Sequence, residues 1–375
     1  MPHASESSDR DPPSVSVLIR SYRRPNPLVE LVDRLRSQSY PAFEVIVLEQ
    51  SDDPELVARL EAHGDPRLRV VVSPPRDPPA ARNELARHAQ GDVLLFIDDD
   101  DLPIGRDWIA EHASNYADPL CMGVVGRTSR DPEGKGGPRF PRLVRAFGLR
   151  HTFFKDTVSF AHGSLRKEDA AFLNGTNASV RRSLVERIGG WDEGIPMHEE
   201  QSFAFRFQRA RLPGERFAFD PGPTIQRRTD VPGGLARRTR EDWWAWELEA
   251  RLFYYEHVVG HYFPIRYRLL RSLFLLRAIE QTLAWIWDPD NRHRSRRERI
   301  RSSAALVTSL PLALAFARFS AANVRRAPLL ASDDRASVGE PRAATARRDP
   351  ARPLASGTQR ALDAPRLNAM QHSRP

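Results

Sequence analysis

Four consecutive aspartates, Asp98 to Asp101, directly follow the apolar run Val93-Leu-Leu-Phe-Ile97. Close like charges raise one another's pKa and cost free energy unless a cation joins them. Hard divalent cations such as Mg2+ and Mn2+ take carboxylate oxygens, commonly one or two together with the phosphates of a nucleotide. In an extended chain the spacing Asp98-x-Asp100 turns two carboxylates toward one site. The alternative is a solvated acidic turn in which Asp101 caps a helix. A second acidic pair, Glu199-Glu200, opens a helical pattern running to Arg211. Carboxylates there complement the helix dipole whether or not they have another role.

Elements with a consistent order surround these residues. Ser14 to Ile19, Phe43 to Leu48, Leu68 to Val72 and Val93 to Ile97 are short β-branched apolar runs, the pattern of strands buried on both faces. Helical spacing separates them at Asn26–Gln38, Pro54–His63 and Pro79–Ala89, the last two closed by Gly64 and Gly91. This alternation predicts an α/β fold: a Rossmann-like, mostly parallel sheet flanked by helices. Ligands of open α/β sheets bind at the carboxyl ends of strands, where the aspartate run falls. Thr128 to Pro141 reads as a loop. Ser183–Ile188 reads as a short helix closed by Gly189-Gly190.

Several motifs, taken in order, resemble those of family 2 glycosyltransferases of the GT-A fold. They are Val17-Leu-Ile-Arg-Ser-Tyr-Arg-Arg24, Glu44 to Ser51, Ala81-Arg-Asn83 and Gly91 to Pro103. Asn174 to Arg182, Gly189-Gly-Trp-Asp-Glu193 and Glu199-Glu200 continue the series. The resemblance covers about residues 14–235. It implies that Ser21 and Tyr22 lie against a donor nucleotide, that Glu49 contacts its base, and that Arg82 sits near the diphosphate. It makes Asp98 and Asp100 the metal ligands, places Asp98 and Asp99 at the donor, and gives Asn177 to the acceptor side. Trp191 is either an acceptor-pocket wall or core. Glu199-Glu200 matches the family's Glu-Asp pair, whose second acid is the usual base, so Glu200 is the expected base with Glu199 beside it.

The sequence departs from the family at Arg20, Arg23, Glu49, Glu200 and at Gln226, where many relatives carry histidine. Gln226-Arg-Arg228 lacks the tryptophan of the processive Q-x-x-R-W motif, so a non-processive enzyme is implied. The implied reaction moves a sugar from a nucleotide-sugar donor to a hydroxyl of a glycan or lipid-linked acceptor, with inversion, in cell-surface glycan assembly. A nucleotidyltransferase would usually carry a glycine-rich basic loop after the first strand, and Arg20 to Pro27 holds no glycine. The rival from another class is a glycan-binding or scaffold protein that has lost turnover through Glu49, Glu200 and Gln226.

Composition supports this frame. The 375 residues are 40% hydrophobic, with net charge +8 and a pI of about 10.1, which favours anionic partners. No nucleic-acid module accompanies the arginines, so nucleic-acid binding is not expected. The single cysteine, Cys121, suits a reducing compartment. Met1 to Pro13 lacks an apolar core for a signal peptide and reads as a disordered arm. The expected location is cytoplasmic, including the inner face of the cell membrane. From about 236 to 330 the chain turns helical, basic and aromatic, with Trp243-Trp-Ala-Trp246, Phe253-Tyr-Tyr255 and Trp285-Ile-Trp287. Neither Leu269–Trp287 nor Ala304–Phe319 is a clean span of about twenty apolar residues. The region reads either as helices lying on an anionic membrane or as a helical cover for the catalytic core or a dimer partner. Residues 331–375 are rich in Ala, Arg, Pro and Ser and read as a disordered tail.

Overall fold

The computed structural model describes residues 11–129, 150–151, 157–158, 165–228, 240–287, 295–319 and 324–326. The expected tail and most of the expected arm and loop lie outside these residues. All described residues belong to one compact unit.

The first strands follow the apolar runs closely: β1 Val15–Ser21, β2 Phe43–Glu49, β3 Leu68–Val72 and β4 Val93–Asp98. Between them lie α1 Pro25–Arg36, α2 Pro54–Glu61 and α3 Pro78–His88. Proline opens α2 and α3 where its missing N–H costs nothing. Asp53 and Asp77 cap them by accepting the N–H of Leu56 at 3.0 Å and Ala80 at 2.9 Å. After β4 come β5 Asp101–Pro103, α4 Trp108–Ser114, β6 Cys121–Ser129 and the two-residue pair β7 Arg150–His151 and β8 Thr157–Val158. Then follow β9 Ala178–Arg181, α5 Arg182–Ile188, α6 Glu199–Ala210 and β10 Arg216–Arg227.

One eight-stranded sheet runs in the order β3-β2-β1-β4-β9-β6-β10-β5. β3, β2, β1 and β4 are parallel, as the alternating sequence predicts. Beyond β4 the sheet is mixed, with β9 antiparallel to both neighbours and β5 antiparallel to β10. The register sets Ser21 opposite Glu49, Arg20 opposite Asp98, and Asp101 opposite Arg227. The first two pairs therefore share the carboxyl edge of the parallel half.

Side chains alternate between two cores. Val17, Ile19, Leu95 and Ile97 pack with α1, α2 and α4 on one face. Leu18, Leu94 and Phe96 pack with Leu85, Phe203 and Phe207 on the other. A third core lies in the helical region: α7 Arg240–Phe253, a π-helical turn at Tyr254–Val259, α8 Pro264–Ile286 and α9 Arg296–Phe319. That core also takes Ile195 and Phe205. Helix α6 is thus held between two cores, with Phe203 and Phe207 on one side and Phe205 on the other.

A fully buried carboxylate fastens the two regions. Asp192 accepts bonds from Ser202 Oγ at 2.6 Å, Arg206 Nη1 at 3.0 Å, Tyr262 OH at 3.0 Å and Arg326 Nη1 at 3.0 Å. Glu193 and Arg325 add a backbone bridge, with N–H to O distances of 2.9 and 3.0 Å. Removing one partner of a buried ion pair leaves the other charge uncompensated. Asp192→Ala is therefore expected to destabilise the fold by about 3–5 kcal/mol, read as a lower urea midpoint. A loss below about 1 kcal/mol, the range of exposed ion pairs, would mean the pairs are not formed in solution.

Candidate active site

The aspartate run divides by the direction of its side chains. Oxygens of Asp98, Asp100 and Asp101 lie within 4.8 Å of one another. Asp99 turns aside: Ser21 Oγ donates to it at 2.8 Å and Arg24 Nη1 at 2.8 Å. Arg24 also reaches Asp100 at 2.7 Å. Arg20 pairs with Asp98 at 3.3 Å, and Arg227 pairs with Asp101 at 3.0 Å. Thr176 joins two members, accepting the Asp98 N–H at 3.1 Å and donating to Asp101 at 2.9 Å. Asp101 begins a strand rather than capping a helix.

These contacts set the charges. Burial pushes Asp99 and Asp101 up to about 6 each, against the opposing pull of Arg24 and Arg227. Burial raises Asp100 too, helped by the charge of Asp98. Burial would also raise Asp98, but Arg20, Arg227 and Arg82 outweigh it and hold that carboxyl below its ordinary range. Three carboxylates converging at one point, one firmly ionised and two pushed toward protonation, form an oxygen donor set that suits a hard divalent cation. The expected pair Asp98 and Asp100 is in the set. Asp101 is an addition.

The second acidic pair stands at the start of α6. Buried Arg82 forms a short ion pair with Glu199 and donates to the Gly175 carbonyl at 3.2 Å. Burial favours protonation of Glu199, but the charge and hydrogen bond of Arg82 reverse the balance and lower its pKa. Glu200 has no such bond to Arg82. Burial and the neighbouring Glu199 push it up to about 7. Gly175 lies against both groups: a Cβ there would sit 2.5 Å from Arg82 Nη2 and 2.7 Å from Glu200 Oε1. The dipeptide Gly175-Thr176 therefore touches the glutamate pair with one residue and the aspartate cluster with the next.

Other expected residues lie elsewhere. Glu49 is fully buried and folds onto its own loop, accepting the N–H of Ser51 at 2.7 Å and of Asp53 at 3.4 Å. These bonds shape the loop that follows β2. Asn177 is fully buried with φ +51°. Its amide accepts from Trp108 Nε1 at 2.8 Å and lies 3.0 Å from His112 Nε2, and it donates to the carbonyls of Arg127 and Pro223 at 2.8 and 3.0 Å. Its amide group is thus occupied within the protein, where it ties loop to sheet. Burial drops His112 to about 4, so its ring is neutral. Trp191 is core: its ring stacks on Phe203 at 4.5 Å and meets Phe96 edge-on at 5.2 Å. Asn83 holds its backbone from both sides at 2.9 Å. Tyr22 is 42% exposed, with the Arg23 guanidinium 5.0 Å above its ring.

Arg24, Arg227, Gly175 and Thr176 were not singled out from sequence, and Asp101 only as a helix cap, although each lies within or next to a quoted motif. Arg227 directly follows Gln226, the departure from histidine. The cation that faces the acidic cluster there comes from the next position along the strand.

Residues 16–189 match the family model for glycosyl transferase family 2. The chain carries a family 2 glycosyltransferase domain. The curated O-antigen biosynthesis protein RfbC of Myxococcus xanthus is 32% identical over 205 residues, 49% of this chain. The chain spans 15% of that relative's length. Among solved structures, the mannosyltransferase PcManGT from Pyrobaculum calidifontis, in complex with GDP-Man and Mn2+, is similar over 85% of this chain and 88% of its own. Its TM-score is 0.50 and its identity 21%. GalNAc-T7 with UDP, GalNAc and Mn2+ has TM-score 0.50 and 12% identity over 68% of this chain and 50% of its own. At these identities the likeness is one of fold, and that fold is GT-A. The family 2 domain contains the aspartate cluster, Arg82 and Gly175. The Glu199-Glu200 pair follows it by ten residues.

Gly175 offers a test of the site's geometry. In Gly175→Ala the clash falls on the ends of two side chains, which can move aside at little cost to the fold. Misplacing a reacting group by about 1 Å costs on the order of 10²-fold in rate. The variant is expected to keep its melting temperature and lose about that factor in kcat. Unchanged kcat would mean that Arg82 and Glu200 need not hold their present positions.

Proposed function

We propose that the chain transfers a sugar from a nucleotide-sugar donor to a hydroxyl acceptor, with inversion, and with a divalent metal bound by Asp98 and Asp100. The observation that carries this reading is the placement of Glu200 and the aspartate cluster on adjacent residues of one segment, Gly175 and Thr176. An acid-base group and a diphosphate site are the two parts that such a transfer requires.

When bound, Mg2+ or Mn2+ would offset negative charge on the departing diphosphate. Arg82 and Arg20 add fixed positive charge on the protein's side. Glu200 takes the proton of the acceptor hydroxyl as the acceptor oxygen bonds to the anomeric carbon. The bond from that carbon to the phosphate oxygen breaks, and the nucleoside diphosphate leaves with the electron pair. One base and one direct displacement invert the anomeric centre. A pKa of about 7 suits this role, because a base is most effective when its pKa lies near the working pH.

The acceptor is read as a glycan or lipid-linked hydroxyl in the assembly of a cell-surface polysaccharide. The likeness to an O-antigen biosynthesis protein supports that class. A cytoplasmic site of action suits the one buried thiol, Cys121.

The deciding experiment is a thermal-shift screen with UDP-, GDP-, dTDP- and CMP-sugars, each with Mn2+, Mg2+ or EDTA. A ligand that binds only the folded state raises its apparent stability. The expected result is a metal-dependent shift with one nucleotide class, abolished in Asp100→Ala. No shift with any donor, in folded protein, would favour a scaffold without turnover.

The base is tested separately. Glu200→Gln should bind donor normally and lose roughly 10²–10⁴-fold in kcat. In the parent protein kcat should fall as pH drops below about 7, because the carboxylate then takes up the proton it must be free to accept. Normal transfer by the glutamine variant would remove Glu200 from the mechanism.

A further inference from the structure

Helix α8 buries one side and exposes several large aliphatic side chains on another. Tyr267, Phe274, Ala278 and Ile286 point into the third core. Ile265, Leu269, Leu273 and Leu276 point out, with exposures of 76%, 79%, 47% and 61%. Four large aliphatic side chains in twelve residues, spaced by four, four and three, form a patch rather than scattered surface residues. The helix bends at Leu270, where the backbone leaves helical values. Helix α9 repeats the pattern, exposing Ile300 at 52%, Val307 at 61% and Leu312 at 69%. Trp287, just past α8, is 44% exposed and lies beside Arg299 of α9 at 5.8 Å.

Charge distinguishes the occupants such a surface could have. Helix α8 holds Arg266, Arg268, Arg271 and Arg277 against Glu280 alone, and α9 holds Arg296, Arg297, Arg299, Arg301 and Arg318 against Glu298 alone. The two helices thus carry net +3 and +4, most of the chain's +8. Arg268, Arg296, Arg297 and Arg301 are exposed. A second copy of this surface would bring like charge against like charge. A bilayer with anionic headgroups offers both an apolar layer for the aliphatic side chains and negative charge for the arginines. No helix among the described residues is long and apolar enough to cross a membrane.

The geometry points to α8 and α9 as a docking surface that lies on an anionic lipid bilayer, with Ile265, Leu269, Leu273 and Leu276 entering the headgroup boundary. Arginine stems lie along that boundary while their guanidinium groups reach phosphates. This surface belongs to the region that Asp192 and Arg326 fasten to α6, so docking holds the helix that carries Glu200 at the membrane.

The test uses the full chain and vesicle flotation without nucleotide sugars, so it does not depend on turnover. Protein is mixed with vesicles of phosphatidylcholine alone or of phosphatidylcholine with phosphatidylglycerol. Binding to the anionic vesicles and not to the neutral ones is expected. Leu269→Glu with Leu276→Glu places two carboxylates at exposed positions and should reduce that binding by more than about tenfold with no change in melting temperature. Three results would overturn the proposal: no binding of the parent protein to anionic vesicles, equal binding by the double variant, or a parent dimer in solution that the double variant converts to monomer. The last would give the surface to a second copy of the chain.

Discussion

Crowded carboxylates are the constraint around which the rest of the molecule is arranged. Asp98 ends one strand, Asp101 begins the next, and Glu199 and Glu200 begin one helix. A single segment, Asn174 to Asn177, lies between the two groups. Burying this many acids without compensation would cost several kcal/mol for each ion left unpaired. The fold compensates with arginines brought from three directions: Arg20 and Arg24 from the end of β1, Arg82 from α3 and Arg227 from the end of β10. The sheet order follows the same need. Inserting β9 beside β4 brings Thr176 to the aspartates, and pairing β5 with β10 sets Asp101 opposite Arg227.

Helix α6 transmits this constraint to the C-terminal helices. Its first turn carries the glutamates, while its aromatic side chains enter two cores. A helix held on both faces keeps its terminus in place better than one held by a single stripe, because rotation about its axis would open voids on either side. His198 enters the helix with φ +68°, a left-handed turn that a non-glycine residue adopts only where the surroundings enforce it. Asp192 stands across this turn and joins Ser202 and Arg206 of α6 to Tyr262 and Arg326. In the Gly-Gly-Trp-Asp stretch, then, Trp191 and Asp192 do structural work: one fills the core beside Phe203, and the other fastens the helix.

Sequence was most informative where the physical signal is local. The four parallel strands were legible because burial on both faces demands uninterrupted apolar runs, and their ends were legible because glycine and proline mark turns. The acidic cluster was legible because its aspartates are consecutive. Partners distant in sequence were not. Nothing near Asp101 announces Arg227, 126 positions away, or near Glu199 announces its bond to Arg82, 117 positions away. The mixed half of the sheet was missed for the same reason, since β9 is four residues long and its place depends on two remote neighbours. Asn177 and Trp191 show a different difficulty. A buried asparagine satisfied by four neighbours and an asparagine awaiting a ligand are the same letter, as are a core tryptophan and a pocket wall. Glu49 is a third case, because its longer side chain reaches back to the amides of its own loop.

The two adjacent glutamates show how one cation can assign different roles to like groups. Both stand at the same helix terminus, Glu199 buried and Glu200 half-buried, and both feel Arg82. Only Glu199 receives its hydrogen bond, so Glu199 holds its proton less tightly than an ordinary glutamate and acts as the counter-ion of a buried guanidinium. Glu200 then faces a neighbouring negative charge with no bonded cation of its own, and its proton is held more tightly. Environments that push paired carboxylates in opposite directions are how acid-base assignments arise near neutral pH. The glycine at 175 belongs to this arrangement, because any side chain there would occupy the space in which the guanidinium and the free carboxylate approach one another. Arg82 thus divides the pair. Its charge also reaches Asp98 and favours the ionised form there.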